Sequence, residues 1–240
     1  MPGSTLDPAE IEKFSALAAE WWNPSGPFGA LHRMNPVRLQ YIRDVAVSHF
    51  GTSTRRPLEG LSALDLGCGG GLVSAPLARM GSKVTAIDAS EEAIGAARAY
   101  AEQAGLDIAF DCTTAEALVE RGATFQLVTA LEIVEHVADV PAFLSAASAL
   151  VAPGGLLILS TINRTPKARA LAITGAERIL KWAPEGAHDY DKLVTPEEIR
   201  TGAPALQWDE PVGVSYQPLG KGWSLSRDID VNYMMAGRRA

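Results

Sequence analysis

"LDLGCGGGL", Leu64 to Leu72, sets four glycines within five residues directly behind an apolar run. A short apolar stretch that stops at a glycine-rich turn and resumes with helical spacing reads as a buried parallel strand feeding the helix behind it. The bare backbone of such a turn lets a ligand meet main-chain N–H groups that a side chain would screen. Read outward, SALDLG is the first strand, and GLVSAPLARMG is its helix, closed by Gly81. SKVTAID is the second strand; SEEAIGAARAYAEQAG is a helix with Ser90 as N-cap, acids in its first turn and Gly105 after its end. DIAFDCT and FQLVTALEI are strands three and four, PAFLSAASALVAPGG is a helix, and LLILSTI is strand five. Strands alternating with helical crossovers predict an α/β fold with a doubly wound, mostly parallel sheet.

The flanks are read by the same rules. Asp7 with Glu10 has the form of a capping box, and Ile11, Phe14, Leu17, Ala18 and Trp21 follow at helical spacing. NPSGPFGALHRMNP is loop by its Pro and Gly content, and Val37, Tyr41, Ile42 and Val45 then give a second helical stripe. RRPLEG, Arg55 to Gly60, is the linker into the core. At the far end, QWDEPVGVSYQP and WSLSRDIDVNYMMAG read as two strands that complete the sheet antiparallel, for seven in all. The expected layout is one domain over 1–240: a helical cap (1–56), a ligand-binding core (57–163), a helical insertion (164–205) and C-terminal strands (206–240).

Composition narrows the function. A chain of 240 residues that is 47% hydrophobic can bury a full core, so disorder is excluded. Its net charge of −7 argues against a nucleic-acid binder, which needs a positive face to release counterions. Two cysteines, Cys68 and Cys112, form neither a disulfide framework nor a zinc site and fit a reducing cytoplasm. The N-terminus lacks the basic and apolar regions of a secretion signal, and no window reaches eighteen uncharged apolar residues, so the expectation is neither secretion nor a membrane span.

In such a sheet the ligand lies beyond the carboxyl ends of the strands, near the switch in strand order. The dinucleotide spacing G-x-G-x-x-G/A fails here: counted from Gly67 the sixth position is Leu72, and from Gly69 it is Ser74. Asp88, ending strand two, is suited to hold both hydroxyls of a ribose. An acid ending an apolar strand is costly unless something pairs with it. The combination favours a nucleoside without a diphosphate.

"LDLGCGGG", "IDAS", "LEIVEHV" and "APGGLLILSTIN" together resemble the class I S-adenosylmethionine-dependent methyltransferases. The flanks "KFSALAAEWWNPSGPFGALHRMNPVRLQYI", "NRTPKARALAITGAERILKWAPEGAHDY" and "DIDVNYMM" are similar to the ubiquinone-biosynthesis O-methyltransferase family, and the likeness covers nearly the whole chain. The resemblance implies S-adenosyl-L-methionine as cofactor, with Gly67 at the cofactor, Asp88 on the ribose, Leu131 beside the adenine and Arg38 reaching the methionine carboxylate. Two bland readings stand beside it: Leu131 as core alone, and Arg38 as a surface helix charge.

Glu132, Glu135 and His136 form E-x-x-E-H just past strand four. If the turn is helical there, spacings of three and four residues put them on one face. Two carboxylates and an imidazole suit a divalent cation, and the resemblance implies Mg2+. The alternative is a solvated acid pair with a pocket histidine. His136 is also a candidate general base, assisted by Glu135; His32 and His188 are loop histidines near enough to close over the pocket.

The resemblance further implies O-methylation of a polyprenyl phenol or quinol, at two hydroxyls along the pathway, and other enzymes of that pathway as partners. Such an acceptor lives in a bilayer. In KARALAITGAERILKWAP, Ala168, Leu171, Ala172, Gly175, Ile179 and Trp182 recur at helical spacing, while Lys167, Arg169, Arg178 and Lys181 face one acid, Glu177. With the resemblance, residues 165–185 read as an interfacial helix on anionic lipid, which implies a cytoplasmic protein peripheral to the inner face of the cell membrane; the alternative is an ordinary amphipathic helix packed on its own domain. The rivals are a methyltransferase of soluble catechols and a cofactor-binding accessory protein without turnover.

Overall fold

The computed structural model describes residues 5–53, 55–171, 189–217 and 222–240. Among these residues one sheet holds nine strands: β1 Ser62–Leu66, β2 Lys83–Asp88, β3 Ile108–Cys112, β4 Phe125–Leu131, β5 Val151–Ile162, β6 Leu206–Trp208, β7 Val212–Gln217, β8 Gly222–Ser226 and β9 Asn232–Arg239. Their hydrogen-bonded order is β3-β2-β1-β4-β5-β9-β7-β8, with β6 also on β9. β1 to β5 pair parallel, whereas β9 runs antiparallel to β5, β6 and β7, and β7 and β8 form an antiparallel hairpin.

The doubly wound class is as expected, and the strand count is corrected from seven to nine. Each of the two C-terminal strands is split. Pro211, which has no N–H for a ladder, stands between β6 and β7, and these two short strands share one edge of β9. Residues 227–231 separate β8 from β9 because the two must pair with different edges.

Both faces of the sheet are covered, so its strands are apolar at successive positions. On one face Leu64, Val128, Leu157, Leu159, Tyr233 and Met235 join one core cluster; on the other Ala63, Leu127, Leu156, Ile158, Met234 and Ala236 join a second. The helices are α1 Pro8–Ser15, α2 Gly29–Phe50, α3 Ser74–Arg79, α4 Glu91–Gln103, α5 Ala115–Glu120, α6 Val140–Ala149, α7 (the single turn Pro166–Ala168) and α8 Pro196–Gly202.

Three helix expectations change. α1 stops at Ser15 and a 3-10 turn, Ala18–Glu20, swings the chain round to Trp21. The Asp7 carboxylate does cap α1, accepting from the Ala9 N–H at 3.0 Å, but Glu10 does not complete a capping box because its carboxylate is engaged by His136. α2 begins inside the stretch expected to be loop and runs through Pro36. Its buried face, including Met34, Arg38, Tyr41, Ile42 and Ala46, is anchored over the sheet, while Pro36 lies on the exposed side where the missing hydrogen bond costs least. α5 was not expected; Thr114 caps it through its side chain.

Candidate active site

The strand order reverses between β1 and β4, so the crevice opens between the turn after β1 and the turn after β4. Beneath it sits Asp65, 2% exposed, accepting from Ser74 Oγ at 2.6 Å and from Thr129 Oγ1 at 2.8 Å. These bonds tie the strand under the glycine turn to the start of α3 and to β4. Burial pushes the Asp65 carboxyl up to about 6, against the pull of the two hydroxyls and Arg38. A carboxyl whose folded pKa is raised contributes stability below its unfolded value, 3.8, and loses it as pH rises through about 6. Asp65→Asn is therefore expected to gain thermal midpoint on the wild type by about 3–6 °C between pH 4 and pH 7. Parallel melting curves across that range would remove the buried-neutral account.

The turn itself uses its glycines in two ways. Gly67 (φ 65°) and Gly69 (φ 51°) occupy the left-handed region and line the cavity. A Cβ on Gly67 would lie 1.9 Å from Ile133 Cδ1. On Gly69 and Gly70 it would lie 2.3 and 2.4 Å from the Trp21 indole. Three of the four glycines thus make room for a protein side chain, Ile133 or Trp21. The Gly69 N–H donates to Asp88 Oδ2 at 2.8 Å and the Ser90 N–H donates to Oδ1 at 2.9 Å. Burial raises the Asp88 carboxyl above its ordinary value, and these backbone donors oppose the rise. Asp88 and Gly67, expected from the sequence to share a ligand, do face one cavity.

The other wall comes from the N-terminal segment. Trp21 stacks on Phe28 with centroids 3.7 Å apart, and its Nε1 is buried without a hydrogen-bond partner. Trp22 stacks on Tyr100 at 3.3 Å and donates from Nε1 to the Gly70 carbonyl at 2.9 Å. His32 sits behind this wall on the Trp21 carbonyl, at 2.8 Å, and does not line the cavity; His188 lies outside the described residues. Thr113 and Thr114 line the site, as the sequence places them beyond the carboxyl end of β3, and they are joined by Glu10, Phe14 and Trp21, which the sequence reads only as a cap and a helical stripe. Their signal is purely tertiary, since α1 and the β3 end are brought together only by folding.

Arg38 is no surface charge. It is 2% exposed on α2, donates to Asn35 Oδ1 at 3.0 Å and stands 3.8 Å from Glu132. Its Nε has no partner. Burial opposes its charge; Glu132, Asp65 and Glu135 offset that. Leu131, 8% exposed, belongs to the core cluster under α2 and does not line the cavity; Ile133 does. The alternation along β4 gives the reason, because Leu131 shares the face of Leu127 and Thr129.

The E-x-x-E-H cluster is dispersed. Glu132 has φ 53°, and only Val134–His136 form a 3-10 turn, so the helical face that would align the three is never built. Glu132 accepts from Ser160 Oγ; Glu135 is 3% exposed, sits behind the cavity wall, and is pushed up to about 8 by burial and then by Glu132; His136 turns to Glu10. Among the described residues no group of three His, Cys, Asp or Glu side chains is placed to hold a metal ion. This set does not fit Mg2+ as it stands, and Glu135 does not line the cavity. His136 does line the cavity.

Most of the expected lipid-facing helix, residues 172–185 of 165–185, lies outside the described residues. Of its cations, Lys167 pairs with Asp228 at 2.5 Å and Asp230 at 3.4 Å, and Arg169 lies over the Tyr190 ring. Leu171 is 54% exposed. No helix among the described residues is long and apolar enough to cross a membrane.

A family model described as a methyltransferase domain matches residues 63–155. The chain is 52% identical, over 98% of its length and 97% of the relative's, to the ubiquinone biosynthesis O-methyltransferase of Rhizobium etli (strain CIAT 652). It is 51% identical to the one of Parvibaculum lavamentivorans, over 99% of this chain and 95% of that one. Among solved structures it resembles the magnesium protoporphyrin IX methyltransferase of Synechocystis PCC 6803 with bound SAH (TM-score 0.65, 20% identity, 95% of each chain). It also resembles the N-methyltransferase NodS of Bradyrhizobium japonicum WM9 in complex with S-adenosyl-L-homocysteine (TM-score 0.61, 17% identity, 96% of this chain and 98% of that one). At those identities the two structures bear on the fold.

Proposed function

The chain belongs to the ubiquinone biosynthesis O-methyltransferase family, and from that premise we propose that it methylates phenolic hydroxyls of polyprenylated ubiquinone precursors, at both O-methylation steps. It is an S-adenosylmethionine-dependent O-methyltransferase. The observation that carries the finer reading is that Asp88, the glycine turn and His136 border one cavity, and that Phe14, Trp21 and Phe143 add aromatic rings to its otherwise mixed aliphatic and polar wall. Such a wall suits a phenol ring held flat beside a nucleoside.

When bound, S-adenosylmethionine supplies a methyl group already activated on a sulfonium. The residues have three tasks. Asp88 accepts the ribose hydroxyls, and the buried Arg38, whose Nε is left without a partner, offers a donor to the methionine carboxylate. The aromatic rings align the acceptor oxygen in line with the methyl, where orientation supplies most of the acceleration. His136 takes the phenol proton, so that the oxygen attacks as phenolate. The prenyl tail belongs in the bilayer, and the apolar and cationic sequence pattern of residues 165–185 supports contact with anionic lipid.

Methyl transfer to a short-chain demethylated ubiquinol is expected to exceed transfer to catechol by at least about 100-fold in kcat/KM, since about 3 kcal/mol is available from burying a prenyl unit. Equal rates would return the enzyme to small soluble acceptors, and cofactor binding without transfer would favour an accessory role. With the acceptor in anionic vesicles, the double change Lys181→Glu and Trp182→Ala should slow transfer while sparing the rate on dispersed acceptor; equal loss in both formats would remove the lipid contact.

A further inference from the structure

Glu10 on α1 and His136 after β4 are 126 residues apart in sequence, yet Glu10 Oε2 lies 2.9 Å from His136 Nδ1. Both side chains are largely buried, and both line the cavity. The Phe14 ring, one turn further along α1, packs edge-on against the imidazole with centroids 5.0 Å apart and an interplanar angle of 80°. α1 therefore grips the imidazole at one nitrogen and along one edge. Lys192 braces the start of the same helix, at 2.8 Å from Asp7 and 3.7 Å from Glu10, and Lys13 stands 3.5 Å from Glu10. Backbone contact adds to this, with the Ala138 N–H donating to the Thr5 carbonyl at 2.8 Å.

We propose that Glu10 is a positioning residue for the methyl transfer, holding His136 in the ring orientation and tautomer in which Nε2 presents its lone pair to the acceptor phenol. The inference rests on the reading of His136 as the base. Its chemistry is simple. A carboxylate surrounded by two lysines and an imidazole stays ionised, and the hydrogen bond to His136 is the largest cause of its lowered pKa. An ionised carboxylate can only accept, so Nδ1 must donate and the neutral ring keeps its proton there. Nε2 is then the basic nitrogen. The proton that leaves the phenol oxygen would go to Nε2 as the oxygen–methyl bond forms and the donor's sulfonium–methyl bond breaks to leave a thioether, and the resulting imidazolium would be stabilised by the Glu10 charge. α1 thereby carries part of the catalytic arrangement, and a site whose N-terminal segment is undocked would hold an unoriented base.

The test is a double-mutant cycle on the full chain, with turnover at saturating S-adenosylmethionine and a short-chain demethylated ubiquinol, and cofactor affinity by calorimetry. Glu10→Ala is expected to lower kcat about 10- to 100-fold while the cofactor Kd and the acceptor KM stay within about three-fold. Adding Glu10→Ala to His136→Gln should cost nothing further, because the carboxylate acts only through the imidazole. Glu12→Ala, which removes an exposed acid from the same helix, should change kcat by less than about three-fold. Additive losses in the cycle, an unchanged kcat in Glu10→Ala, or an equal loss in Glu12→Ala would each overturn the positioning role. An unchanged kcat in His136→Gln marks a different failure, that of the base assignment itself.

Discussion

Asp88→Ala is expected to raise the dissociation constant for S-adenosylmethionine about 100- to 1000-fold in a calorimetric titration. Two hydrogen bonds from a ribose to an ionised acceptor are worth about 3–4 kcal/mol together, and each 1.4 kcal/mol is a factor of ten. The same carboxylate accepts from the Gly69 and Ser90 N–H groups, so its loss also frees the glycine turn and the first turn of α4. Asp88→Asn keeps an acceptor at the same place and should fall between the two. Titrations are run well below each variant's melting midpoint, so that unfolding does not pass for lost affinity. An unchanged dissociation constant would end the ribose assignment and leave Asp88 as a clamp on the turn.

Gly67→Ala is expected to be nearly as damaging, for a reason of space. The residue sits at φ 65°, where a side chain costs about 1 kcal/mol or more, and the added methyl would lie 1.9 Å from Ile133 Cδ1 and 3.0 Å from its Cγ1. The Ile133 side chain must leave its place between the turns of β1 and β4, and overpacking of this kind costs about 1–3 kcal/mol. The melting midpoint should drop by about 4–8 °C and turnover by at least about 30-fold. Ile133→Ala added to Gly67→Ala makes room and should recover part of the midpoint. Gly154→Asn is the control, since Gly154 has φ 72° with open space around it, and it should cost under about 1 kcal/mol. A neutral Gly67→Ala would show that the two turns are looser than their packing requires.

Reading the chain alone located most of this. The strands β1 to β5 stand where continuous apolar runs end at turn residues, because a parallel sheet covered on both faces permits little else. Asp88 and Gly67 were legible for the same reason: an acid and a bare backbone at strand ends are local anomalies that a core cannot explain. Arg38 was ambiguous, since one charge in a helical pattern carries no sign of which side it faces. α5 was missed because six residues between short loops make too weak a period.

The metal triad shows where spacing misleads. E-x-x-E-H aligns three ligands only on an α-helix, and the left-handed Glu132 with a three-residue 3-10 turn sends each side chain to a different partner: Ser160 and Arg38, the buried interior, and Glu10. Glu10 itself read as part of a cap, which is the sound inference when only neighbours within four residues are in view.

What the sequence by itself determined is the fold class, the ligand end of the sheet and the family, because each is encoded in local periodicity, in residues whose conformational needs are their own, or in likeness along the whole chain. Only the tertiary structure decided which side chains meet: Trp21 on the glycines, Leu131 in the core rather than the cavity, Glu10 on His136. Those contacts join segments up to 126 residues apart, and their geometry depends on how α1, the aromatic segment and the sheet pack together, which no local pattern carries.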